Sequence, residues 1–244
     1  MKIDGYCTLG VDREYNMTEN SLLEAMDQAG VDRAVIAPPD RFFAIYNREG
    51  NEQMLKAAKD QGGRFIPTCC ANPWYGPPAT QEIERALGEG ARMVLFHPAV
   101  QGFSANDEII FPLLDCISEN AAPVYVHTGP PGNATPWQIV DLAERYPAIN
   151  FVMGHCGATD FWNDVIVSAE AHANIYLESS LARPFHFARY MKALGKERGI
   201  MGSWAPLNNL AFEWHEMRKF TSTDVFEEIS GKNLARLLGK EGPL

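Results

Sequence analysis

Eight times along its 244 residues the sequence passes from a short apolar run into a longer amphipathic one. That alternation constrains the fold more than any single motif. The apolar runs fall at 3–9, 32–38, 64–72, 93–97, 123–127, 150–155, 174–179 and 199–203. Each is of strand length, and the segments between them carry helical spacing. After the first run, Thr18 is placed to cap a helix whose Leu22, Leu23, Met26 and Ala29 share one face. Later helices are expected around 51–60, 82–87, 110–119, 136–145 and 161–171, with another ending near Leu194. Repeated strand–helix units imply a parallel sheet, and eight of them in a chain near the ~250 residues typical of the fold imply a closed (β/α)8 barrel. The whole chain, 1–244, is then one domain. A doubly wound open sheet is the alternative. It calls for a glycine-rich phosphate loop after the first strand, and Thr8-Leu9-Gly10-Val11-Asp12 is not one.

A formal net charge of -10 argues against a nucleic-acid binder, whose affinity rests on neutralising phosphates. No apolar run approaches the roughly 20 residues that span a bilayer, and no basic-then-apolar leader is seen at the start. Five cysteines, Cys7, Cys69, Cys70, Cys116 and Cys156, lack metal or redox spacing and read as reduced thiols, so a cytoplasmic protein is expected. The expected partner is a small molecule, with neither nucleic acid nor membrane; a homodimer stays open.

A barrel strand is covered on both faces and should be almost wholly apolar. Polar residues nevertheless collect at strand ends: Tyr6 and Thr8 in the first, His97 in the fourth, His127 in the fifth, His155 in the sixth and Glu178 in the seventh. Half of the six histidines occupy this one kind of position. Any one could be a hydrogen-bonded core histidine, and His97, before Pro98, could simply cap a turn. Together, His127 and His155 point to function. Alternation along the first strand turns Tyr6 and Thr8 inward and Cys7 outward, and the same parity turns Cys156 away from His155. Trp74, Tyr75, Trp137, Trp162 and Trp204 lie in or near strand-end loops and suggest an apolar or aromatic small molecule. Asn133 and Arg183 are candidate anchors for a substrate carboxylate, with surface salt bridges as their plainer role.

Val124-Tyr125-Val126-His127-Thr128-Gly129 and Phe151-Val152-Met153-Gly154-His155-Cys156-Gly157 resemble the fifth- and sixth-strand signatures of the amidohydrolase-2 family. Ile3-Asp4-Gly5-Tyr6-Cys7-Thr8 resembles its first strand, usually D-x-H-x-H. Gly90-Ala91-Arg92 leading to His97-Pro98 resembles its fourth, and Gly202-Ser203-Trp204-Ala205-Pro206 its eighth, usually G-S-D-x-P. The resemblance spans nearly the whole chain and implies a metal-dependent hydrolase or a decarboxylase of aromatic acids. Against that pattern, Tyr6 and Thr8 stand where two metal-binding histidines belong, Trp204 where an aspartate belongs, and Leu95 where a lysine often sits. The inherited metal site is therefore expected to be degenerate.

Two chemistries follow. One is metal-free acid–base catalysis by His127 and His155, with Glu178 (or Asp160) as the carboxylate and Tyr6 as a hydrogen-bonding partner for a substrate carbonyl. Imidazole suits it because its pKa of about 6.5 lies near working pH. No cofactor is then expected. The other is a rebuilt zinc site using His97, His127 and His155, since a catalytic zinc can be held by three histidines and water. In either case Trp74, Tyr75, Asn133, Trp162, Arg183 and Trp204 are the expected substrate contacts. A different class of protein also fits: a binding barrel without turnover, whether by drift or by deliberate substitution, in which Trp204 fills the space once held by metal and water.

Overall fold

The computed structural model describes residues 1–129, 132–158 and 160–239. All eight expected strands are present. We label them β1 (Ile3–Thr8), β2 (Arg33–Ala37), β3 (Phe65–Pro67), β4 (Val94–Phe96), β5 (Val124–His127), β6 (Phe151–Gly154), β7 (Ile175–Glu178) and β8 (Gly199–Ile200). Every pairing between them is parallel, and neighbours in sequence are neighbours in space.

Continuous ladders join β1 to β3 and β4 to β8. Two narrower seams close the ring. Between β3 and β4, Cys69 pairs with Val94, Cys69 N donates to Met93 O at 3.0 Å, and Leu95 N donates to Cys69 O at 2.8 Å. Between β8 and β1, Cys7 pairs with Ala205, and the N–H groups of Gly5 and Thr8 donate to Met201 O and Ala205 O, each at 2.7 Å. The strands β3 and β8 are shorter than their apolar runs suggest, because the chain leaves the ladder at these seams.

The two faces of the sheet hold separate cores. Inside the ring pack Ile3, Tyr6, Val35, Ile66, Met93, Leu95, Tyr125, Val152 and Ile200, with Leu234 and Leu237 of the C-terminal helix Asn233–Leu237 closing one end. Between sheet and outer helices pack Cys7, Leu22, Met26, Ile36, Val126, Met153 and their neighbours. Tyr6 inside and Cys7 outside follow from alternation along the strand.

The first outer helix, Glu19–Ala29, starts and stops where its sequence directs. Thr18 accepts from Ser21 N, and Gly30 ends the helix at φ 63°. The helix Asn47–Asp60 begins earlier than its apolar spacing suggests because Asn47 is buried and donates to the carbonyls of Phe42 and Phe43. The segment expected as helix at 161–171 is helical only at Asp164–Ala169. A short hairpin, Gly10–Val11 with Asn16–Met17, follows β1 and has no counterpart in the apolar pattern because it lies outside the barrel ring. Among the described residues no helix is long and apolar enough to cross a membrane.

Strand β1 carries a bulge. Its register against β2 shifts by one residue between Asp4 and Cys7, so one extra residue bends the strand there. The shift lets Ile3 and Tyr6 both face inward and turns Asp4 out towards the helix Leu210–Phe220. Asp4 is fully buried and accepts from Trp214 Nε1 at 2.8 Å, Ser203 N at 3.0 Å and Tyr6 N at 3.1 Å. Burial still prevails over those donors and raises its carboxyl to about 6. The native state therefore holds this proton more tightly than the unfolded chain, whose Asp titrates near 3.9. Stability falls as pH rises from about 4 to about 6, by up to ~3 kcal/mol.

We expect the stability difference between wild type and Asp4→Asn, followed by urea denaturation, to shift against wild type by that amount across this window. A difference independent of pH would show that Asp4 does not titrate there. Gly154, at the end of β6, lies so close to Tyr125 that a Cβ would run into its ring. Gly154→Ala should cost about 1–3 kcal/mol through overpacking, read as a lowered melting temperature.

Candidate active site

The ends of β4 to β7 bring four titratable side chains into one cluster, buried at His127, His155 and Glu178 and partly buried at His97. His97 follows β4, His127 closes β5, His155 follows β6 and Glu178 closes β7. Parallel neighbours about 4.8 Å apart deliver their C-terminal residues side by side, which is why enzymes of this architecture carry their chemistry at this rim. The imidazoles of His97 and His127 stack with centroids 4.1 Å apart and planes 15° from parallel. His127 Nδ1 lies 3.0 Å from His155 Nε2, and His155 Nδ1 lies 2.7 Å from Ser180 Oγ. The Ser180 hydroxyl donates to Glu178 Oε2 at 2.7 Å.

Glu178 is wholly buried. Its Oε2 also accepts from Tyr125 OH at 2.8 Å and from His155 N at 3.1 Å, while Oε1 accepts from Ser180 N at 2.7 Å. Burial pushes its carboxyl above the usual range, and these four donors oppose that push. The space for the carboxylate exists because residue 202 is glycine: a Cβ there would collide with Glu178 Oε1. His155 itself sits at φ 62° and Cys156 at φ 49°. Two consecutive non-glycine residues in the left-handed region turn the chain sharply after β6. The turn aims the His155 ring into the barrel and the Cys156 thiol outward onto Glu178 O at 2.9 Å.

Burial disfavours the charged form of every imidazole here. His97 is lowered to about 3, by burial first and by His155 second. His155 is lowered to about 4 by burial, with Ser180 opposing. His127 falls well below its ordinary value through burial and the adjacent His97 and His155. All three rings are neutral at pH 7. Among the described residues, His127 Nε2 is the one buried side-chain nitrogen or oxygen with no hydrogen-bond partner.

Tyr6 forms the wall opposite. Its ring stacks on Tyr125 at 5.0 Å and meets His127 and His155 edge-on at 5.0 and 5.9 Å. Burial, with Asp40 second, holds its phenol protonated. Trp204, at φ 57°, places its indole 4.9 Å from the His155 ring, at the corner where the sequence pattern calls for an aspartate.

The other expected contacts lie elsewhere. Trp74 and Tyr75 are 60% and 45% exposed, and their polar atoms donate to Gly102 O and Ile45 O. The Asn133 amide donates to Phe103 O, so it braces two loops. Trp162 and Arg183 do come together, but in a small outer pocket with Cys156, His186 and Tyr190. There Trp162 stacks on His186 at 4.3 Å. Asp160 is exposed, which leaves Glu178 as the buried carboxylate of the cluster. Ser180 and Tyr125 are the participants that strand-end reasoning overlooked. Tyr125 had a signal, since it is two residues from His127 and shares its inward face. Ser180 lies beyond the end of β7, where alternation no longer applies.

The histidines meet, and most of their nitrogens are engaged by neighbouring groups. Zinc needs nitrogen lone pairs aimed at one spot about 2.0–2.1 Å away. His97 Nδ1 accepts from Val100 N at 3.4 Å, capping the helix Pro98–Gln101. His127 Nδ1 and His155 Nε2 are engaged with each other, and both Glu178 oxygens are occupied. Among the described residues, no three His, Cys, Asp or Glu side chains are grouped to hold a metal ion.

Comparison with known proteins adds the family. Residues 5–240 match the Amidohydro_2 amidohydrolase family model. The fold is shared with 5-carboxyvanillate decarboxylase from Sphingomonas paucimobilis, at 17% identity, TM-score 0.76, covering 97% of this chain and 98% of that one. It is also shared with 5-carboxyvanillate decarboxylase from Novosphingobium aromaticivorans, solved with manganese and 4-hydroxy-3-methoxy-5-nitrobenzoic acid, at 14% identity, TM-score 0.80 and coverage of 98% and 96%. A third is 2,6-dihydroxybenzoate decarboxylase from Rhizobium, at 14% identity, TM-score 0.76 and coverage of 97% and 98%. A comparison with curated proteins finds no match. With one family model matched from the first strand to beyond the last, this chain belongs to the amidohydrolase family.

Proposed function

We propose that this protein is an acid–base enzyme acting on a small aromatic acid or carbonyl compound, with His127 Nε2 as its proton acceptor and no metal among its reacting groups. The observation that carries this reading is the unpartnered, buried His127 Nε2. A buried polar atom without a partner costs about 1–3 kcal/mol, and at a barrel rim such an atom is placed to accept a hydrogen from a substrate or water. The manganese of the Novosphingobium relative is not carried over, because Tyr6, Thr8 and Trp204 stand at the positions where the family pattern has ligands and, among the described residues, no three His, Cys, Asp or Glu side chains are grouped to replace them. The inherited metal site is degenerate on this reading.

One proton cycle serves both reactions associated with the family. In hydrolysis, His127 Nε2 takes a proton from water as its oxygen bonds to the carbonyl carbon, then returns it to the leaving oxygen or nitrogen. In decarboxylation, it takes the proton of the carboxylic acid, the carbon–carbon bond breaks with its electron pair left on the ring, and the ring carbon recovers that proton as carbon dioxide leaves. Tyr6 and Trp204 supply aromatic surface against a planar substrate. The aromatic acids named for the relatives favour decarboxylation as the first activity to assay.

The test is a panel of hydroxylated benzoates followed by carbon dioxide release, and of lactones followed by ring opening. We expect His127→Ala to lose about 10²- to 10⁴-fold in kcat/KM. Because burial keeps the imidazoles neutral, kcat/KM for lactone opening, whose proton comes from water, should stay level from pH 8 to about 5 and fall as pH drops towards the value of about 4 of His155; for a benzoate, which reacts as its undissociated acid, it should rise as pH falls from 8 to about 5. Chelator treatment should leave activity unchanged. Near-stoichiometric manganese or zinc, lost together with activity on chelation, would overturn the metal-free reading. Ligand binding without turnover across the panel would favour a binding barrel, to which the Trp204 indole packed on His155 already lends support.

A further inference from the structure

We propose that Ser180 is a positioning residue that sets the tautomers of both His155 and His127, and thereby makes His127 Nε2 an acceptor rather than a donor. The inference deepens the proposed function and rests on it for its catalytic meaning, but its structural content stands on donor counting alone.

The count starts at Glu178. Four donors converge on its two oxygens, and two of them, Ser180 N and His155 N, are backbone groups that cannot reverse. With Tyr125 OH as the third, this environment stabilises an ionised carboxylate, to which the Ser180 hydroxyl gives its single proton. Ser180 Oγ then has only acceptor capacity left for the atom 2.7 Å away, so His155 Nδ1 carries hydrogen. A neutral ring protonated at Nδ1 presents a lone pair at Nε2. That lone pair, 3.0 Å from His127 Nδ1, takes the His127 hydrogen. His127 is thus also protonated at Nδ1, and its Nε2 carries a bare lone pair. Both rings hold the tautomer opposite to the one a free histidine prefers in water. Glu178 cannot take over that role if the Ser180 hydroxyl is lost, because its Oε2 lies 3.9 Å from His155 Nδ1, beyond hydrogen-bond reach.

The consequence is a rule for what can meet His127. A group at Nε2 must present a hydrogen: water, a hydroxyl or an undissociated acid. A carbonyl oxygen or carboxylate there would set two lone pairs face to face. Substrate carbonyls must instead turn towards a group that carries hydrogen.

The experiment is long-range proton–nitrogen NMR of the ¹⁵N-histidine-labelled full chain at pH 7 without substrate, with His127→Ala and His155→Ala used to assign the signals. We expect protonated Nδ1 and unprotonated Nε2 on both His127 and His155. Ser180→Ala should convert them to a mixture of tautomers and lower kcat on the order of 10²-fold with little change in KM, as expected when a base is left in the wrong tautomer. Ser180→Thr, which keeps the hydroxyl, should restore both. Tyr125→Phe removes a Glu178 donor outside the chain of hydrogen bonds and should leave the tautomers as they are. Hydrogen on His127 Nε2 in wild type, or unchanged tautomers in Ser180→Ala, would overturn the proposal. The wild-type spectrum decides even where a variant does not fold. Expected tautomers in a protein that turns over nothing would leave this inference standing and sink the proposed function.

Discussion

A carboxylate sits where a barrel normally keeps only apolar atoms, and the arrangement around it follows from making that tolerable. An isolated charge in such a place is strongly disfavoured, so it must be hydrogen-bonded on every side. Glu178 meets that requirement with one tyrosine hydroxyl, one serine hydroxyl and two backbone N–H groups. Each donor constrains the chain in turn. Tyr125 must point inward, which restricts residue 154 to glycine; the oxygens need space that only glycine at 202 leaves. The His155 N–H reaches the carboxylate from a turn with two residues in the left-handed region. The geometry of the histidines is thus partly the by-product of keeping one carboxylate satisfied.

This dependence explains the difference between the sequence pattern and the site. The barrel was legible because it is written in periodicity: eight apolar runs and the spacing of Leu22 and Met26 need no partner to be recognised. The inward facing of Tyr6 and His127 was legible for the same reason. The bulge in β1 was not, since Asp4, Tyr6 and Thr8 share a parity that a regular strand would have respected. Asp4 faces a tryptophan more than two hundred residues away, and no local pattern announces that contact.

The candidate site divides along the same line. His127, His155 and Glu178 could be singled out as polar residues where apolar ones belong. What they do to one another could not, because hydrogen-bond direction depends on atoms brought together from the ends of three strands. The aromatic loop residues show the opposite error. Trp74, Tyr75 and Trp162 were grouped by composition, yet two of them lean on nearby carbonyls and the third stacks on His186 in an outer pocket. Arg183 shares that pocket with His186.

The two seams divide the ring into unequal mechanical parts. Everything from His97 to Glu178 belongs to one unbroken five-strand ladder, so the histidines and their carboxylate travel as one piece. Tyr6 belongs to the other, smaller ladder, joined to the first at its edges by a few backbone bonds. A barrel built this way can adjust the wall facing a ligand without disturbing the proton-handling side. It can also accept substitutions on that wall while the opposite half keeps its geometry.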